Sequence, residues 1–257
     1  MRCILDKKAV VRQYAKSHKY FTLDEIVKES NLSKQVAVNY LQALKNEGIV
    51  FLAGHGIYSY LTKEFNIPKN NRVSKIRQIL EKEFPELDFI IWNTLYFQGY
   101  YHHTQTHHIT FIEVEKDAIS PVVDQIKRSY RNVIVEKKGR IFNSDFDITR
   151  DPIMVRGLIN RSPRDGHNPR LEKILVDLFV IKDKYRTMAD TDYWELWKEM
   201  YSLYRINFSA VFDYAMRRRN IRVLIQKLID IIGLKQVIFG SKSKLVPNIT
   251  LKKSRLR

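Results

Sequence analysis

"SNLSKQVAVNYLQALKNEGIV", residues 30–50, decides the fold. Ser33 is of the type that caps a helix N-terminus, because its hydroxyl can accept an orphan backbone N–H of the first turn. Ala37, Tyr40, Leu41 and Leu44 then recur at helical spacing on one face. Gly48 stands where the chain needs a left-handed residue to stop the helix. With the inner face assigned, Lys34, Gln35, Val38, Asn39 and Gln42 fall on the outer one. Glutamine and asparagine pair bidentately with adenine, and lysine suits guanine or phosphate, so this face has groove-reading chemistry.

The flanks extend the pattern. Residues 6–17 are helically spaced, with Val10, Val11, Tyr14 and Ala15 on one face. Thr22 followed by Glu25 has the form of a capping box and predicts a short helix to about Glu29. After Gly48, "IVFLAGHGIYSYL" gives two β-type runs around Gly54-His55-Gly56, a hairpin signal. Helix, helix, turn, helix and hairpin within residues 1–64 predict a winged helix-turn-helix, with the third helix in the major groove and His55 at the hairpin tip over the backbone. The competing reading is a winged helix used for protein contacts, since the region holds only 10 Lys/Arg against 6 Asp/Glu.

The whole chain of 257 residues carries a formal charge of +17, concentrated at one end: residues 217–257 hold 12 Lys/Arg against 1 Asp/Glu. An anionic partner such as DNA follows from that asymmetry. Arg217, Arg218, Arg219 and Arg222 open this segment, on a helical pattern whose apolar positions are Ile221, Leu224, Ile225, Leu228, Ile229 and Ile232. That pattern leaves the arginines and Lys227 to solvent or phosphate. Further on, "KQVIFG" and "NITLKK" are β-type runs. A hydrophobic content of 44% supports a packed core. The single cysteine, Cys3, excludes an intrachain disulfide and fits a reducing cytoplasm. "MRCILDKKAVV" is broken by charges, which predicts no secretory signal. The run "VLIQKLIDIIGL" is interrupted by Lys227 and Asp230, so a membrane span is not expected.

Between these ends, "TKEFNIPKNNRV" (62–73) has the composition of a linker. Residues 73–84 predict an amphipathic helix. "DFIIW" (88–92), "ITFIEVE" (109–115), "NVIVE" (132–136) and "IMVRGLI" (153–159) predict strands, with a helix after Pro121 between the second and third. Asn168 and Pro169 predict the cap and first position of a helix with Leu171, Ile174, Leu175 and Leu178 as its stripe. The expected architecture is α+β: the winged helix at 1–64, a small mixed α/β domain at 74–185, and a helical, basic C-terminal region at 186–257. The aromatic run from Tyr193 to Tyr214 is expected to be core.

Candidate chemistry is sparse. His102, His103, His107 and His108 could ligate a transition metal, but no cysteine or acidic residue lies among them, and a polar loop is the simpler reading. Glu113 and Glu115, with Asp88, resemble the acidic sets that hold magnesium in nucleases, yet the usual acidic-x-Lys spacing fails at Lys116. Asp145 and Asp147 lack the Gly-Ser turn that accompanies a metal-binding pair in nucleotidyltransferases. No P-loop and no nucleophile elbow is found. No catalytic residue, metal ligand or cofactor is expected.

The order of "LYFQGYYHHT", "FIEVEKDA", "NVIVE", "IMVRGLINRSP" and "PRLEKILVDLF" behind a winged helix resembles the AbiEi-type antitoxins, over roughly residues 5–185. "FIEVEKDA" and "LEKILVDLF" carry most of that resemblance. It implies an antitoxin that represses its own operon through Lys34, Gln35 and Asn39, and counters a nucleotidyltransferase toxin encoded nearby. The histidine cluster and the basic end depart from the family pattern. A metal-dependent nuclease with a DNA-binding winged helix is the alternative.

Overall fold

A computed structural model describes residues 7–100, 107–136, 147–218, 223–224 and 226–228. The chain is α+β, with helices and mixed sheets.

The first helix, α1 (Lys7–Ser17), is followed by β1 (Tyr20–Thr22), α2 (Leu23–Ser30), α3 (Lys34–Asn46), β2 (Phe51–Gly54) and β3 (Ile57–Ser59). The capping box forms as the sequence predicts: the Glu25 N–H donates to Thr22 Oγ1 at 3.1 Å, and the Thr22 N–H donates to Glu25 Oε2 at 2.7 Å. Asn31, left-handed at φ 49°, turns the chain into α3. Ser33 Oγ accepts from the Val36 N–H, and Gly48, at φ 70°, ends the helix. The three strands form an antiparallel sheet in the order β1-β3-β2. Val11, Ala15, Phe21, Ile26, Leu32, Ala37, Leu41, Leu44 and Val50 make a separate small core beneath them.

Residues 62–70 have no regular structure but are packed rather than free. Phe65 stacks on Phe97 at 5.4 Å, and the Arg205 N–H donates to Lys63 O at 2.8 Å. The next helix, α4 (Asn71–Glu83), starts from Asn70, whose side chain accepts from the Val73 N–H. Then come β4 (Phe89–Asn93), β5 (Thr110–Val114), α5 (Ile119–Lys127), β6 (Val133–Val135) and β7 (Ile153–Gly157). They form a four-stranded sheet in the order β4-β5-β7-β6, antiparallel between β4 and β5 and parallel elsewhere. Both faces of β4 and β5 are buried, and apolar side chains fill them except at Asn93, Thr110 and Glu113. α5 begins two residues before Pro121. Proline is tolerated there because the first-turn N–H groups lack helical partners anyway.

One sequence expectation is corrected. Asn168 and Pro169 do not start a helix; they form β9 (Asn168–Pro169), paired with β8 (Arg164–Asp165). Two contacts override the helix signal: Arg77, 91 residues away, donates to Asn168 Oδ1, and within the β8–β9 turn Arg170 forks onto the Asp165 carboxylate at 2.6 and 2.9 Å. The helix α6 (Leu171–Tyr185) begins at Leu171 instead. It carries the expected stripe, and α7 (Asp190–Leu203) and α8 (Phe208–Arg217) pack on it or on each other's neighbours through Tyr193, Trp197, Phe208 and Tyr214, all fully buried. Among the described residues no helix is long and apolar enough to cross a membrane.

Candidate functional site

The outer face of α3 is open. Lys34, Gln35, Asn39 and Gln42 are exposed and Val38 is half-buried, while Ala37, Leu41 and Leu44 are completely covered. The amides are ordered along the helix: Gln35 Nε2 donates to Asn39 Oδ1 at 3.2 Å, and Gln42 Nε2 donates to Asn46 Oδ1 at 3.0 Å. Lys34 sits 3.9 Å from Asp24, both well exposed, a pair too solvated to hold the ammonium in place. At the other end of α3, Lys45 borders a cleft of about 640 Å³ that Leu52, Phe65, Arg170 and Arg205 also line. The N-terminal half of α3 is the freer half.

The hairpin is short and docked. Its turn is only His55-Gly56, with Gly56 at φ 68°. The His55 N–H donates to Ser209 Oγ at 3.1 Å at the start of α8, while the His55 side chain stays exposed. A Cβ on Gly54 would lie 3.3 Å from Ile57 Cδ1 and 3.4 Å from the Ser209 backbone nitrogen, so the hairpin lies close against the start of α8.

The basic residues after α8 divide. Arg217 is exposed and donates to Arg161 O at 2.9 Å. Arg218 corrects the expectation of a solvent-facing arginine: its Nε donates to Asp177 Oδ1 at 2.7 Å, and its side chain is 14% exposed. A buried carboxylate attracts the guanidinium more strongly than water does. The Lys227 side chain stays 44% exposed, 3.0 Å from the likewise exposed Asp190, and Leu224 and Leu228 are buried as predicted. Arg219, Arg222, Ile221, Ile225, Ile229, Ile232 and the two β-type runs lie outside the described residues, as do His102, His103 and Asp145.

Sequence reasoning missed a second site, a network of charges inside the α/β core. Glu113 on β5, Arg156 on β7, and Lys173 and Asp177 on α6 are all within 3% of full burial. Glu113 Oε1 accepts from Trp92 Nε1 at 3.0 Å, Arg156 Nη2 at 2.6 Å and Lys173 Nζ at 2.6 Å. Asp177 accepts from Lys173, Arg156, Arg218 and the Tyr214 hydroxyl at 2.5–3.0 Å. Burial pushes the Glu113 carboxyl up, but Arg156 and Lys173 outweigh it, and the net shift is down. For Asp177 the same contest is settled downward by Arg218, Lys173 and Arg156. Next to them, Glu136 receives Lys184 and the Tyr185 hydroxyl at 2.7 Å, and it falls to about 2 against the opposing effect of burial. Glu113 Oε2 and Arg156 Nη1 are buried without a hydrogen-bond partner.

Glu113 and Glu115 therefore do not form an acidic pair: the first is enclosed by cations and the second is exposed. Asp88 is engaged by Arg164. Asp147 caps a turn, accepting from the Thr149 N–H at 2.9 Å. His107 Nδ1 lies 3.6 Å from Asp151, and no group of three or more metal-ligating side chains occurs among the described residues. The available sequence signal for the buried network was Lys173 and Asp177, four residues apart in "LEKILVDLF", with Asp177 inside the otherwise apolar run "ILVDLF".

The model of a family described as a family of unknown function (DUF6577) matches residues 36–235, and the chain belongs to that family. No curated protein and no solved structure matches it.

Proposed function

We propose that this member of the DUF6577 family is a DNA-binding antitoxin and transcriptional autorepressor. Residues 7–59 act as a winged helix that reads its own promoter through α3, and the protein counters a nucleotidyltransferase toxin encoded nearby. The observation that carries the DNA-reading half is the outer face of α3: Lys34, Gln35, Val38, Asn39 and Gln42 face outward from a helix whose other side is sealed. The order helix–strand–helix–helix–hairpin and the sheet order β1-β3-β2 support a winged helix. The net charge of +17 favours a polyanion.

The antitoxin half rests on the resemblance of "FIEVEKDA" and "LEKILVDLF" to AbiEi-type antitoxins. These two segments meet in space, because they supply Glu113, Lys173 and Asp177 to one buried network. The network thus gives a packing reason for the residues behind the resemblance. The nuclease alternative draws no support from Glu113, whose carboxylate is already neutralised by Arg156 and Lys173.

Titration of the native promoter duplex against random duplex at physiological salt tests the reading. The promoter should bind more tightly, and Gln35→Ala or Asn39→Ala should each cost about 1–3 kcal/mol of that preference. Equal affinity for both duplexes would reject it. Co-purification with the product of an adjacent nucleotidyltransferase gene tests the toxin contact separately.

A further inference from the structure

Gln35, Asn39, Gln42 and Asn46 fall at i, i+4, i+7 and i+11 of α3, so they form one stripe along its exposed face. The two hydrogen bonds within it, Gln35 to Asn39 and Gln42 to Asn46, hold the side chains over the helix surface instead of leaving them to sweep through solvent. Val38 flanks the stripe and is half-buried. The charged residues at its ends are Lys34 and Lys45; α3 contains no arginine and no acidic residue.

Base-edge chemistry gives this composition a meaning. An amide offers one acceptor and one donor side by side, which match the adenine N6 amino group and N7. Guanine presents two acceptors there, O6 and N7, and calls for arginine or lysine instead. The thymine partner of adenine adds a methyl group that takes an apolar contact. The stripe from Gln35 to Asn46 is about 16 Å long at 1.5 Å per residue, the length of four or five base pairs at roughly 3.4 Å per step. We infer that α3 is specific for a major-groove segment of consecutive A·T pairs, with Asn39 and its amide neighbours on adenine and Val38 against a thymine methyl. This inference rests on the DNA-reading function proposed above and specifies its target.

The test begins with selection of duplexes from a random pool by the full chain. Enriched sites should share a run of A·T pairs. In such a site, replacing adenine with 7-deazaadenine removes N7, and replacing thymine with uracil removes the methyl; the protein is unchanged in both cases. Each replacement at a contacted position should weaken binding roughly tenfold or more. At the adenine that Asn39 contacts, the 7-deazaadenine penalty should vanish in Asn39→Ala, whose altered side chain is exposed and free of core packing. Enriched sites with a G·C core, or A·T sites indifferent to both analogues, overturn the inference while leaving sequence-specific DNA binding in place. A pool from which no sequence is enriched overturns the DNA-reading function and this inference together.

Discussion

Asp177 receives more donors than any other side chain described above, and it shows what a single buried charge does here. Lys173, Arg156 and Arg218 are three cations facing two carboxylates, Asp177 and Glu113, with Glu136 3.8 Å from the far side of Arg156. Removing one carboxylate strands cations in a region without water to solvate them. Asp177→Asn keeps the shape and loses the charge, so it should destabilise the fold by about 3–5 kcal/mol, measured by urea denaturation. A loss below about 1 kcal/mol would mean that the cations are less enclosed than the structure has them. The same network sets an acid limit. Glu113, Asp177 and Glu136 are all held below the ordinary carboxylate range, Glu136 at about 2. Their folded forms bind protons less readily than the unfolded chain does, so the stability they contribute is present above about pH 4.5 and is lost as pH falls toward 2. Urea midpoints measured down that range should fall steeply in the wild type and less steeply in a Glu136→Gln variant.

At the scale of elements, local chemistry explains the boundaries of α2 and α3 and distant chemistry explains those of α6. Thr22, Ser33 and Gly48 act on groups three or four residues away, which is why the capping box and both ends of α3 were legible in the sequence. Thr22→Ala removes the acceptor for the Glu25 N–H and should cost about 1 kcal/mol in a thermal melt; no change in melting temperature would show that the cap is redundant. Asn168-Pro169 carried an equally good local signal for a helix start and was misleading. Arg77, 91 residues away, takes the Asn168 side chain, and Arg170 is drawn back to Asp165. The buried network was illegible for the same reason. Trp92, Glu113, Arg156, Asp177 and Arg218 come from separate elements, and no window of sequence contains enough of them to reveal that their charges cancel. The outer face of α3 was legible because a helix fixes it by periodicity alone; the docking of the hairpin on Ser209 was not, because it joins residues 154 apart.

Across the whole molecule, the N-terminal unit is joined to the C-terminal helices, which bears on how the cations near the chain end would serve the proposed DNA binding. The Tyr20 hydroxyl donates to Tyr204 O at 2.7 Å and accepts from the Ile206 N–H at 2.8 Å, and its ring stacks on Tyr201 at 4.5 Å. The N-terminal unit and the helices α7 and α8 therefore belong to one framework. Arg218 is spent on the buried Asp177 and adds little to a phosphate surface, whereas Lys227 and Asp190 form an exposed pair that leaves the ammonium largely solvated. Besides the exposed Arg217, seven cations stand beyond Gly233, where Lys235, Lys242, Lys244, Lys252, Lys253, Arg255 and Arg257 follow without an acidic residue. Phosphate contacts are indifferent to sequence, and each one lost reduces the slope of log K against log salt by about one unit. A chain truncated after Gly233 should therefore bind every duplex more weakly, with a flatter salt dependence, while its ratio of promoter to random affinity stays the same. Base contacts on α3 would be untouched, and they alone set that ratio. If affinity and salt slope are both unchanged by the truncation, these seven cations do not touch DNA. Their partner is then to be sought by co-purification with the full and truncated chains, the proposed toxin among the candidates.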